Sequence, residues 1–152
     1  MNLNRRSCLK FGGKLVSMFS AFALPLTTFA AYNKTAFDSK SVLEAVKSMG
    51  ASGLIESKDI AFNAPDYAEN GASVALSVST SQANVKKILI LVEKNPAALV
   101  ASFQVTEHIE PNFSTRIKMS QTSNVFAVAI LSDGKALFSR KEVKVTIGGC
   151  GN

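Results

Sequence analysis

Tryptophan is absent from this chain, histidine occurs once as His108, and the only cysteines are Cys8 and Cys150. These shortages exclude whole classes of chemistry. One histidine without a cysteine cluster does not supply the three or four ligands of a zinc site. No Cys-x-x-Cys pair occurs, so a dithiol oxidoreductase mechanism lacks its second sulfur. No glycine-rich phosphate loop precedes a helix. Repeats, low-complexity tracts and any sign of a second domain are missing as well. With 152 residues, 47% apolar and 18% charged, the chain has the material for one folded domain and a targeting segment.

The first 30 residues have the form of an export signal. Arg5 and Arg6 stand ahead of an apolar stretch from Leu15 to Phe29, broken by Ser17, Ser20, Pro25, Thr27 and Thr28. A membrane span needs about 20 apolar residues, so stable membrane anchoring is not expected. Thr28-Phe29-Ala30 places small residues around a cleavage point, most simply after Ala30. The run "RRSCLK" resembles a twin-arginine signal, with Asn4 where Ser or Thr is common and Cys8 where Phe is common. An ordinary secretory signal is the other reading, and both carry the protein out of the cytoplasm. Cys8 precedes the apolar stretch and is not placed as a lipoprotein cysteine. Removal of this segment takes away Arg5, Arg6, Lys10 and Lys14 and no acid, which leaves +2 of the formal +6. The high basicity thus belongs largely to the signal, and a nucleic-acid partner loses its support. One cysteine remains, so an internal disulfide is impossible and the thiol is intermolecular or reactive.

In the mature chain, residues 31–37 read as a loose lead-in. Residues 38–49 are predicted as the one helix, with Val42, Leu43, Val46 and Met49 forming an apolar stripe. Ser41 to Glu44 fits a capping box, with Asp38 or Ser39 as alternative caps, and Gly50 and Gly53 supply the stop. From Asp59 onward the period becomes two. Strands are predicted near 59–63, 72–80, 86–93, 99–106, 114–121, 124–131 and 136–147, separated by turns rich in Pro, Asn, Asp and Gly. The expected fold is all-β, an antiparallel β-sandwich of about seven strands with one short N-terminal helix. Residues 114–121 and 142–147 alternate apolar and polar, with one dry and one wet face. "KKILILVEK" and "NVFAVAILS" are apolar on both faces, so their outer face needs a cover. Either the helix or a second protein provides it.

Most polar residues read as surface. His108, beside Glu107 and Glu110, is a solvated turn residue; Asp59, Asp66, Glu69 and Asp133 belong to loops and turns. Lys86, Lys87, Arg116 and Lys118 read as wet strand faces rather than an anion site. Cys150 is different. Gly148, Gly149 and Gly151 flank it, have no Cβ and visit wide backbone space. A five-residue tail after Ile147 reaches roughly 17 Å when extended. Its sulfur is a thiol on a tether, accessible but not activated, because the nearby terminal carboxylate opposes thiolate formation. The residues by themselves leave three readings: a covalent carrier, a structural module cross-linked through an intermolecular disulfide, and a thiol enzyme acting alone. The last lacks a resolving cysteine and a cationic neighbour.

The ending "VKVTIGGCG", with "TRIKMSQTSNV" and "VEKNPAALVASF" upstream, resembles the SoxY family, the sulfur carriers of bacterial thiosulfate oxidation. The likeness runs from Phe37 to Gly151, with Asn152 in place of the last glycine of the family's Gly-Gly-Cys-Gly-Gly motif. It implies an immunoglobulin-like sandwich that is not itself an enzyme, a heterodimer with a SoxZ-like subunit, a periplasmic location and a substrate carried on Cys150 of a C-terminal arm. It also implies partner enzymes. A SoxXA-like haem c enzyme joins thiosulfate to the cysteine, and a SoxB-like dimanganese hydrolase releases sulfate and leaves a persulfide. In some organisms a SoxCD-like molybdenum–haem enzyme oxidises the outer sulfur. None of those cofactors is assigned to this chain.

Overall fold

The computed structural model of the chain describes residues 33–146. Two short helices come first, α1 (Lys34–Asp38) and α2 (Val42–Ser48). Nine strands follow: β1 (Leu54–Glu56), β2 (Ile60–Asn63), β3 (Tyr67–Ala68), β4 (Val74–Thr80), β5 (Val85–Val92), β6 (Leu99–Gln104), β7 (Asn112–Ile117), β8 (Ser123–Leu131) and β9 (Ala136–Val145). They make an immunoglobulin-like sandwich. The larger sheet has the order β1-β9-β8-β5-β6, with β3 also on β9, and the smaller has the order β2-β4-β7. All seven predicted strands are present. The two additional ones, β1 and β3, pair parallel with β9 and are too short to show a period.

The single helix expected over 38–49 is instead two, and the lead-in forms the first. Asn33 caps α1, its side chain accepting from the Ala36 N–H at 3.1 Å, and its amide donates to the Ser48 carbonyl at 2.8 Å. Ser39 divides the helices. Its hydroxyl donates to the Thr35 carbonyl, while its own carbonyl accepts from the Ala98 N–H at 2.9 Å, a bond to the sheet in place of a helical one. Ser41 is the cap of α2, accepting from the Glu44 N–H at 3.4 Å. Gly50, at φ +98°, closes α2 in the left-handed conformation that glycine adopts without a Cβ penalty.

Two apolar layers result. Between the sheets lie Ile88, Ile90 and Val92 of β5, Val125, Ala127 and Ala129 of β8, and Val74, Leu76 and Val78 of β4, among others. On the outer side of the larger sheet, Leu89, Leu91, Phe126, Val128 and Ile130 pack with Ala36, Ala45, Val46 and Ala51. Leu89, Leu91, Val128 and Val46 are fully buried. The helices therefore cover the doubly apolar strands. Beside α2, α1 contributes Ala36 and, in part, Phe37. Leu43 departs from its expected place in the stripe and is 46% exposed. The inward face is Val42, Ala45, Val46 and Met49, at the helical spacing i, i+3, i+4, i+7; Leu43 lies one step round.

Candidate functional site

The expected site residues Gly148, Gly149, Cys150 and Gly151 lie outside the described residues, as do Cys8 and the leader 1–30. The structure does describe the strand that leads to them. Strand β9 carries the chain from Ala136 across the larger sheet and ends at Val145, with Thr146 following. Cys150 is the fourth residue after Thr146.

This last stretch is held on both sides. Along one edge β3 pairs with it in parallel: the Lys144 N–H donates to the Asp66 carbonyl at 2.9 Å and the Thr146 N–H to the Ala68 carbonyl at 3.0 Å. Along the other, the backbone ladder with β8 reaches only Ser123 opposite Val143. Beyond it a side chain takes over. The Thr122 hydroxyl accepts from the Val145 N–H at 3.0 Å and donates to the Val145 carbonyl at 3.5 Å. Underneath, Gly71 meets Val145 so closely that a Cβ there would lie 2.9 Å from Val145 Cγ1 and 2.4 Å from the Met119 carbonyl oxygen. Only glycine fits this approach. The Met119 N–H donates to the Gly71 carbonyl at 2.7 Å. Asn95 secures the same 118–122 segment, donating to the Lys118 carbonyl at 2.8 Å and accepting from the Ser120 N–H at 3.0 Å.

Around this root the surface is mixed in charge. Lys144 lies over the Tyr67 ring at 5.4 Å, and Tyr67 is 65% exposed. Lys141 pairs with Asp66 at 2.9 Å. The other polar candidates do not converge. His108 is exposed, and among the described residues no three His, Cys, Asp or Glu group as a metal site would require. Asp59 accepts from Ser57 and Gln82, tying the start of β2 to the turn after β4. In the β8–β9 turn the Lys135 N–H at 3.0 Å, with the Lys135 ammonium, holds the Asp133 carboxyl below its usual 3.8. Lys86 and Lys87 are on β5 while Arg116 is on β7 of the other sheet. Lys87 is not simply solvated: its ammonium donates to the Met49 carbonyl at 3.3 Å and caps the end of α2. No described helix is long and apolar enough to cross a membrane.

Thr122, Ala68 and the close packing at Gly71 escape sequence reasoning. Gly71 carries a turn signal in Glu69-Asn70-Gly71, but nothing local indicates that Val145 presses on it.

Comparison with known proteins agrees with this architecture. The family described as sulfur oxidation protein SoxY matches residues 45–150. The structure of the sulfur carrier protein SoxY from Chlorobium limicola f thiosulfatophilum is 37% identical, with a TM-score of 0.60; the match covers 67% of this chain and 92% of that one. A superoxide reductase (neelaredoxin) from Ignicoccus hospitalis is 14% identical at a TM-score of 0.54, covering 61% of this chain and 94% of its own, which is a likeness of fold alone. No curated protein matches. With a family match over most of its length and a structural relative above one-third identity, this chain belongs to the SoxY family of sulfur oxidation proteins.

Proposed function

We propose that this protein is a periplasmic sulfur-compound carrier in thiosulfate oxidation, holding its substrate covalently on Cys150 at the end of a C-terminal arm. The observation that carries the reading is the family match, which runs to residue 150 and so includes this cysteine. The sulfur-carrier relative covers nearly its whole length here, which supports the same role. The carrier has no catalytic residue of its own; Gly148, Gly149 and Gly151 let the thiol enter narrow sites on other proteins.

Loading joins thiosulfate to Cys150. The thiol gives up its proton, an S–S bond forms to the outer sulfur of thiosulfate, and two electrons pass to a SoxXA-like haem enzyme. A SoxB-like hydrolase then adds water at the sulfonate sulfur, releases sulfate and leaves a persulfide on Cys150. A SoxCD-like enzyme oxidises that outer sulfur where it is present. Residues 1–30 act as a twin-arginine-type leader cleaved near Ala30, and a SoxZ-like subunit completes the carrier as a heterodimer.

Intact mass tests this directly. The purified protein, incubated with thiosulfate and the partner enzymes, gains reducible adducts of thiosulfonate or sulfur size on Cys150. A Cys150→Ser protein that still sustains thiosulfate oxidation refutes the reading. A disulfide-linked dimer without small adducts points instead to a cross-linking role.

A further inference from the structure

We infer that Thr122 and Gly71 are positioning residues that fix where the C-terminal arm leaves the body and so set the reach of Cys150. The inference rests on the carrier reading above. Its physical basis is the change of partner at the end of β9. Backbone pairing with β8 stops at Val143, two residues before the strand itself ends. A terminal stretch paired on one edge only, with a two-residue strand, would fray. Thr122 prevents this by placing one hydroxyl between the N–H and the carbonyl of Val145, in the position that a neighbouring strand would fill. The missing Cβ of Gly71 lets both the Val145 side chain and the Met119 carbonyl, in the loop that Asn95 fastens, approach the Gly71 backbone.

The consequence is a definite length. With Thr146 held to Ala68, four residues reach from the anchor to Cys150, at most about 14 Å from the extended rise per residue. Released back to Val143, the arm has seven residues and spans about 24 Å. A longer tether dilutes its own cargo. Effective concentration at a site within reach falls roughly as the −3/2 power of length, so seven residues in place of four lower it about twofold. The clamp keeps the tether short.

The test compares Thr122→Val, which keeps the shape and removes the hydroxyl, with Thr122→Ser, which restores it. Amide hydrogen exchange on the full chain reads the clamp, and loading from thiosulfate by the partner enzymes reads the role. In Thr122→Val the Val145 amide, and with it Thr146, should exchange roughly tenfold faster, as the loss of hydrogen bonds worth a factor of that order requires. Loading efficiency should fall through KM with kcat retained, by up to the roughly twofold that full release to Val143 gives. Thr122→Ser should return both to wild type. Unchanged exchange in Thr122→Val overturns the clamp; faster exchange with unchanged loading overturns its role in presentation. A wild-type protein that takes up no sulfur would instead overturn the carrier reading, and with it the role in presentation, while exchange still decides whether the clamp exists.

Discussion

Replacing Leu91 by Ala tests whether the helices, rather than a second protein, cover the larger sheet. Leu91 lies on β5 opposite Phe126 and Leu99 and is fully buried in one cluster with Val46 and Ala45 of α2. The substitution removes three carbons. At about 0.8 kcal/mol per buried carbon the transfer loss is about 2.4 kcal/mol, and the cavity left behind brings the expected cost to about 3–4 kcal/mol. For a domain of this size each kcal/mol lowers Tm by about 4 °C, so a fall of about 12–16 °C is expected in the chain alone. Leu43→Ala provides the contrast: Leu43 is 46% exposed and should change stability by less than about 0.5 kcal/mol. Urea unfolding of the two variants, without any partner present, measures both. If Leu91→Ala costs the isolated chain under about 1 kcal/mol, the face is not closed by the helices and the reasoning fails.

Other substitutions probe the turns. Gly134 sits at φ +85° with only the Gly50 carbonyl at 3.8 Å from a built Cβ, so Gly134→Ala meets no clash and should cost about 1–2 kcal/mol through the backbone alone. Gly53→Ala, with open space and no positive φ, should stay within about 0.5 kcal/mol in the same thermal melts. Asn95→Ala removes the bonds to Lys118 and Ser120 and should cost about 1–2 kcal/mol in urea unfolding. The Asp133 carboxyl, lowered by the Lys135 N–H, should titrate below 3.8 by NMR. A depressed carboxylate favours the folded state above its unfolded pKa, and that contribution disappears as pH falls through the folded value. In Lys135→Ala the remaining backbone bond should keep part of the depression; a midpoint at the ordinary value would discard this account.

Legibility followed the range over which each interaction acts. Alternation along a strand is a local property, so Thr115, Ile117 and Met119 could be assigned inward from their own neighbours; Ile117 and Met119 are buried and Thr115 is partly so. The doubly apolar strands announced that both faces of Leu89–Leu91 and Phe126–Ile130 were covered, but identified no cover. The cover is α2 together with α1, whose capping residue Asn33 reaches the Ser48 carbonyl and whose end is marked by Ser39 bonding Ala98. These partners are 15 and 59 residues apart, beyond any periodic signal. β1 and β3 were invisible for a related reason. Three residues and two residues cannot display a period, and both exist because β9 offers an edge.

The same distinction divides the site. Cys150 and its glycines are a local motif read from the last five residues, which lie outside the described ones. The fixed point from which they depart is built from Asp66, Ala68, Gly71 and Thr122, brought to Val145 by three different turns of chain. A tethered thiol is useful to a partner enzyme only if the tether has a defined origin, because effective concentration depends on distance from the anchor as well as on flexibility. On the proposed carrier reading, motif and anchor act as one device, although one is written in five consecutive letters and the other only in the fold.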